Sequence, residues 1–300
     1  MSGLPAIAPP PPEAAPPGRW TLLDVIKWTT ARFTERRLDT PRLDAEILIA
    51  HALSLSRVQL YVQHDRPLLP AELAAIRELI KRRQAGESVA YVVGKKEFWG
   101  LELAVDARVL VPRPDTETLV EEGRDRLDAA AHAPERIGDV GTGSGAVALA
   151  LKKVRPAASV FAADLSADAL AVARANAERL ALEVTFVEGD LAAPLAAHGP
   201  FSLLAANLPY VATGDLAGLA PEVRAEPVRA LDGGPDGLDL VRRLVTEAPA
   251  LLASGGALAL EIGAGQADAT AALLEAAGFT DVRRRRDLGG IERVVSGVKA

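Results

Sequence analysis

The sequence predicts an α/β protein: a seven-stranded, mostly parallel sheet covered on both faces by helices, with a small helical bundle in front. Three observations carry this. From residue 136 onward, short β-prone apolar runs alternate with helical segments, the signature of parallel strands joined by crossovers. Only Asp287–Ile291 separates the last two runs, too few residues for a crossover helix, so those two pair antiparallel. Before residue 85, apolar residues recur at spacings of three and four rather than two.

Taken in order, residues 1–18 are rich in proline and alanine and predict a disordered or polyproline-like tail. Residues 19–88 predict a helical domain. Leu22, Leu23, Val25 and Ile26 begin one amphipathic segment, Leu43, Ile47, Leu48 and Leu55 mark a second, and Leu73, Ile76, Leu79 and Ile80 a third. Pro41 and Pro70 stand where prolines begin helices. Residues 89–112 change texture: β-branched and aromatic residues, and the alternation of Leu101, Leu103 and Val105, predict a β-hairpin linker. Pro112 and Pro114 end it, since neither can donate to a ladder. Residues 113–300 hold the main sheet, with strands expected at 136–140, 159–163, 183–187, 202–206, 257–262, 281–286 and 292–298. Helices are expected at 145–154, 167–180 and 238–252 among others.

Composition narrows the function. Nearly half of the 300 residues are apolar and a quarter charged, the balance of a globular protein with a sizeable core. No apolar run reaches the roughly 18 residues of a membrane span, and the first residues lack the features of a signal peptide, so a cytoplasmic protein is expected. The absence of cysteine excludes disulfides, thiolate nucleophiles and cysteine-based metal sites. His51, His64, His132 and His198 are scattered, and no metal site is expected. The net charge of −6 divides into −1 over residues 1–18, +3 over 19–115 and −8 over 116–300. An acidic main domain argues against binding bare nucleic acid.

Two stretches carry chemistry. Asp139-Val140-Gly141-Thr142-Gly143-Ser144-Gly145-Ala146 lies between the first strand of the sheet and the next helix, where glycines let the backbone approach a ligand beside a helix N-terminus. Gly141, Gly143 and Ala146 also fit the dinucleotide pattern G-x-G-x-x-A. Asp164 ends the second strand, about 20 residues on, where a carboxylate can accept from both ribose hydroxyls. Asp190 follows the third strand and can accept from an adenine amino group, with Leu191 packing on the ring. Acids after three successive strands suit S-adenosylmethionine better than a nicotinamide cofactor. Gly141, Thr142, Gly143, Ser144, Gly145, Asp164, Asp190, Leu191 and Asn207 are therefore the expected cofactor contacts.

Asn207-Leu208-Pro209-Tyr210 follows the fourth strand, at the carboxyl edge where ligands bind in such sheets. A planar NH2 nitrogen is a poor nucleophile because its lone pair is delocalised. The Asn207 carboxamide oxygen and the Pro209 carbonyl can each accept one of its hydrogens, aligning it with the methyl–sulfur bond. Tyr210 can lie against the flat group, and no strong general base is required. Arg113 is a candidate contact to substrate or to the cofactor carboxylate. Glu261 ends the fifth strand beside the site.

With [DNS]-[LP]-P-[YFW] in this place, the chain resembles amino-group methyltransferases, and the seven-stranded sheet with an antiparallel last strand is that of class I S-adenosylmethionine-dependent methyltransferases, a Rossmann-like fold. Glu97-Phe98-Trp99-Gly100-Leu101, Val111-Pro112-Arg113-Pro114-Asp115-Thr116-Glu117 and Glu226–Gly237 are more specific. They resemble the HemK/PrmC family of release factor glutamine methyltransferases from about residue 20 to the end. The resemblance implies methylation of the glutamine in the Gly-Gly-Gln motif of peptide chain release factors. It places cofactor contacts at Gly141–Gly145, Asp164, Leu191 and Asn207 and the substrate clamp at Asn207–Tyr210. It also implies substrate recognition by the helical front domain. A monomer is expected, with release factors as protein partners. The family usually has Asn-Pro-Pro-Tyr; Leu208 replaces the first proline and is expected to contribute only its backbone. Because Asn-Leu-Pro-Tyr is also familiar from rRNA adenine dimethyltransferases, a nucleic-acid amino group or a ribosomal-protein glutamine remains the alternative acceptor.

Overall fold

The computed structural model describes residues 20–130 and 134–300. The expected proline-rich tail and His132 lie outside the described residues. The chain divides between Val93 and Gly94 into two compact units.

The first unit is helical throughout. Helix α1 (Leu22–Glu35) starts at a capping box in which Thr21 and Asp24 satisfy each other's backbone amides. Helix α2 (Pro41–Leu53) begins on its proline and ends with Ser54 in the left-handed conformation. Ser56 and Gln59 box the start of α3 (Arg57–Val62), and α4 (Pro70–Gln84) again begins on proline. Leu22, Phe33, Leu48, Ile49, Leu60 and Ile76 are almost fully buried between these helices. A buried ion pair, Arg83 to Asp44 at 2.8 Å, ties α4 to α2.

Residues Val89–Val93, expected as the start of the hairpin, instead form a short helix, α5. The Ser88 hydroxyl accepts from the Tyr91 amide at 3.2 Å, and Ala90 and Val92 are buried. Packing against the helical unit outweighs the strand preference of three valines. The hairpin itself is shorter than expected, β1 (Lys95–Phe98) and β2 (Leu101–Ala104), and belongs to the second unit. Trp99 and Gly100 join them with φ of 52° and 63°, the geometry of a type I′ turn.

Helix α6 (Glu117–Ala129), not anticipated from its charged sequence, precedes the main sheet and buries Leu119, Val120 and Leu127. There follow β3 (Arg136–Val140), α7 (Ala146–Val154), β4 (Ser159–Asp164), α8 (Ala167–Leu180), β5 (Thr185–Glu188) and β6 (Phe201–Ala206). After the one-turn α9 (Pro221–Arg224) come α10 (Asp239–Leu251), β7 (Leu252–Glu261), α11 (Ala267–Ala276), β8 (Phe279–Arg286) and β9 (Glu292–Lys299). The strand order is β5-β4-β3-β6-β7-β9-β8. Strand β9 lies between β7 and β8 and is antiparallel to both, while the first five pair parallel. The chain thus has the class I methyltransferase fold anticipated from its βα alternation. Strand β7 starts earlier than expected, extending through Gly255 (φ 76°) with a register shift against β6.

All six residues of β6 are buried. Leu204 and Ala206 join the apolar cluster on one face, Leu203 and Ala205 the cluster on the other. A strand covered on both sides reads as a continuous apolar run, and the FSLLAA of β6 does so. Among the described residues no helix is long and apolar enough to cross a membrane.

Candidate active site

The sheet register lines up the residues that carry chemistry. Val140 pairs with Ala163 on one side and Ala206 on the other, and Ala206 pairs with Leu260. The next residue on each strand is therefore Gly141, Asp164, Asn207 and Glu261, a row along the carboxyl edge.

Gly141, Gly143 and Gly145 adopt φ of 74°, 54° and 85°, values that favour glycine. The amides of Gly141 and Thr142 both donate to the Ala163 carbonyl, at 2.9 and 3.0 Å. Asp164 fixes the rest of the turn: one carboxylate oxygen accepts from the Gly143 amide and the other from the Ser166 amide, each at 2.8 Å. Each oxygen keeps a second lone pair for a ribose hydroxyl. Below the loop, buried Asp139 accepts from the Thr142 hydroxyl at 2.6 Å and the Ala148 amide at 3.1 Å. Burial pushes its carboxyl up to about 7, with the Asp164 charge adding to the rise. Asn176 on α8 is fully buried and joins the hairpin to this loop. It bonds both backbone groups of Ala104, at 2.7 and 3.0 Å, and the Ser144 carbonyl at 3.0 Å.

At the end of β6, Asn207 Nδ2 donates to the Thr116 hydroxyl at 3.2 Å, which leaves Oδ1 on the other side of the amide. The Pro209 carbonyl lies against Gly233, where a Cβ would meet it at 2.5 Å. The Tyr210 carbonyl accepts from Gln266 Nε2 at 3.0 Å, and burial raises the Tyr210 hydroxyl above its ordinary pKa. Leu208 does more than supply backbone: it is 3% exposed, and its Cδ2 lies 3.1 Å from where a Gly141 Cβ would stand. Its side chain thereby packs the Asn207–Tyr210 loop against the glycine loop.

One cleft gathers Gly141, Thr142, Gly143, Ser144, Asp164, Asp190, Leu191, Asn207, Leu208 and Pro209. Three expected contacts do not line it. Gly145 packs against Ala173 and Leu149 at the start of α7. Tyr210 lies beside Gly263. Arg113 pairs at 2.6 Å with Glu226, which also accepts from the Val111 amide at 3.3 Å. Glu226 is 3% exposed, and burial raises its pKa despite that partner. The pair pins the Glu226–Ala230 segment so that Pro227, Arg229 and Ala230 join the cleft wall. Asp190 lines the cleft, yet its carboxylate is engaged by Arg243 at 2.6 Å. Leu191 takes a left-handed φ of 47°, strained for a branched side chain.

Sequence reasoning missed Asp139, Gly189 and Thr116 as site residues; all three line the cleft. Asp139 heads the glycine stretch and was legible there, whereas nothing in the sequence brings Thr116 beside Asn207, 91 residues away. Glu261 is 1% exposed and its Oε2 has no hydrogen-bond partner among the described residues. Burial pushes it up to about 7, against the opposing influence of Thr116, Arg293 and Asn207.

The chain is similar to known methyltransferases. Residues 24–94 match the PrmC N-terminal domain family and residues 137–226 the Methyltransferase domain family. A release factor glutamine methyltransferase from Geobacter sulfurreducens is 45% identical over 94% of this chain and 98% of its own length. One from Deinococcus radiodurans is 43% identical over 93% and 99%. Among solved structures, the hMettl16 catalytic domain in complex with a MAT2A 3'UTR hairpin matches with a TM-score of 0.52. It shares 15% identity over 71% of this chain and 81% of that one, a likeness of fold alone.

Proposed function

The chain belongs to the release factor glutamine methyltransferases, and on that premise we propose which of its atoms carry out the transfer. It moves a methyl group from S-adenosylmethionine to the side-chain amide nitrogen of a release factor glutamine. In our reading that glutamine is the one in the factor's Gly-Gly-Gln motif. The observation that carries the assignment is that Asn207 and Pro209 share one cleft with the glycine loop and Asp164.

The residues present fit the cofactor. Asp164 has lone pairs to spare for a ribose diol, Gly143 has nothing within 4 Å of where a Cβ would stand, and Leu165 and Leu191 offer apolar walls for a base. S-adenosylmethionine supplies an electrophilic methyl group on a sulfonium. Asn207 Oδ1 and the Pro209 carbonyl then accept the two amide hydrogens, which orients the nitrogen and favours its pyramidal form. The proton becomes acidic as the nitrogen loses its lone pair to the new bond, so a strong base is unnecessary. Arg113 acts through Glu226, holding the wall of the cleft. The helical unit recognises the release factor away from the reacting glutamine. We further read the protein as a cytoplasmic monomer, and as one without direct nucleic-acid contacts; the −8 charge of residues 116–300 supports the last point.

Mass spectrometry of a release factor incubated with this protein and S-adenosylmethionine tests the proposal. One methyl on the Gly-Gly-Gln glutamine is expected. Asn207→Ala should lower kcat by about 10²–10³. A methyl elsewhere, or a fully active Asn207→Ala, would overturn it.

A further inference from the structure

Glu261 is buried to 1% exposure at the end of β7, its Oε2 unpartnered among the described residues. A carboxyl in that state is a cost to the fold, and a leucine would continue the apolar strand more cheaply. Its position accounts for it. Register sets Glu261 beside Asn207 on the neighbouring strand, and the Thr116 and Asn207 side chains both favour its charged form. Arg293 also stabilises that charge, Asp115 opposes it, and Tyr210 faces the same carboxylate.

A carboxamide has nearly the same shape when flipped, exchanging oxygen for NH2. Flipped, Asn207 would turn a donor toward the N–H it is to accept from and could not hold it. Thr116 by itself does not prevent this, because a hydroxyl both donates and accepts. Its Oγ1 accepts from Asn207 Nδ2, and its own hydrogen remains to be donated. A carboxyl oxygen beside it that accepts this hydrogen fixes the direction of the chain.

We propose that Glu261 is a positioning residue: through the Thr116 hydroxyl it holds the Asn207 amide turned so that Oδ1, not Nδ2, meets the acceptor nitrogen. This rests on the role given to Asn207 above. Glu261 touches neither cofactor nor substrate, and its effect falls on the chemical step.

Steady-state kinetics on Glu261→Ala, Glu261→Gln and Thr116→Val, with calorimetric titration of S-adenosylmethionine and thermal melting, test it. Glu261→Ala is expected to lower kcat at least about 30-fold, with KM for the release factor and cofactor affinity within about threefold of wild type. Glu261→Gln, which keeps an acceptor oxygen, should recover kcat to within about fivefold, and Thr116→Val should lose about tenfold with KM unchanged. The proposal is overturned if Glu261→Ala keeps its kcat, if its loss lies in KM or cofactor affinity, or if glutamine does no better than alanine. Should the alanine variant fail to fold, a Thr116→Val protein with wild-type kcat overturns it equally. A wild-type protein that methylates no release factor overturns instead the reading on which this rests.

Discussion

Asp139 and Glu261 are two buried carboxyls pushed up to about 7, the first under the glycine loop and the second behind Asn207. A carboxyl whose folded pKa exceeds its unfolded value binds its proton more tightly in the folded state. Its contribution to stability is complete below about pH 4 and is lost as pH rises through 7. Stability is therefore expected to fall between pH 4 and 7 and to level off above. Asp139→Asn keeps an oxygen for the Thr142 hydroxyl and the Ala148 amide and removes the buried charge. It should about halve that slope, Glu261 carrying the rest, and raise stability at pH 8 by roughly 3 kcal/mol, read from urea unfolding at several pH values. A slope equal to wild type would show that another group sets it. The sequence made the polar side chains at strand ends legible because a loop after a parallel strand is where ligands meet the sheet. It could not show that Asp139 is buried, that Arg113 pairs with Glu226, or that Thr116 reaches Asn207. The two pairings join residues far apart in the chain, and Asp139 is covered by its neighbours across the sheet.

The acceptor loop is held by a second loop that the sequence marked only by likeness. The Asp232–Gly237 turn runs beneath Asn207–Tyr210, with the Val211 amide on the Leu231 carbonyl and the Gly233 amide on the Val211 carbonyl, both at 2.9 Å. A Cβ at Gly233 would stand 2.5 Å from the Pro209 carbonyl oxygen and 2.7 Å from that of Gly237, and neither backbone atom can yield cheaply. Gly233→Ala is thus expected to cost about 1–3 kcal/mol and to move the very carbonyl proposed to accept from the substrate. Its kcat should fall by an order of magnitude or more while cofactor affinity stays near wild type, measured by methyl transfer and calorimetry. Gly214, with nothing within 4 Å, is the control: Gly214→Ala should change stability by less than about 0.5 kcal/mol. A fully active Gly233→Ala would detach the turn from function. Elements with a clean period were legible: α8 begins and ends where expected, and both prolines open their helices. Helix α5 was misread because valines favour strands until packing decides otherwise, and α6 escaped notice because its apolar residues are sparse among charges.

Over the whole chain, the change from three- and four-residue spacing to βα alternation announced two kinds of structure, and the chain divides between Val93 and Gly94. The exact boundary was not legible, since Val89–Val93 reads as strand yet packs with the helices before it. The second unit has what independent folding requires: a seven-stranded sheet with an apolar cluster on each face. Every residue lining the cleft, from Arg108 to Leu240, lies in it. A protein comprising residues 94–300 is therefore expected to fold and to bind S-adenosylmethionine within about threefold of the full chain, because no binding contact is removed. Transfer to an intact release factor is a different matter. If the helical unit supplies recognition distant from the reacting glutamine, its loss removes binding energy that chemistry at the cleft cannot replace. In that case kcat/KM for the factor should fall by about 100-fold or more, while a short peptide bearing Gly-Gly-Gln, which has no distant surface to offer, is methylated equally by both proteins. Calorimetry and competition between intact factor and peptide distinguish the outcomes. Equal kcat/KM on the intact factor would remove the helical unit from substrate recognition, and loss of cofactor binding would mean that the second unit does not stand alone.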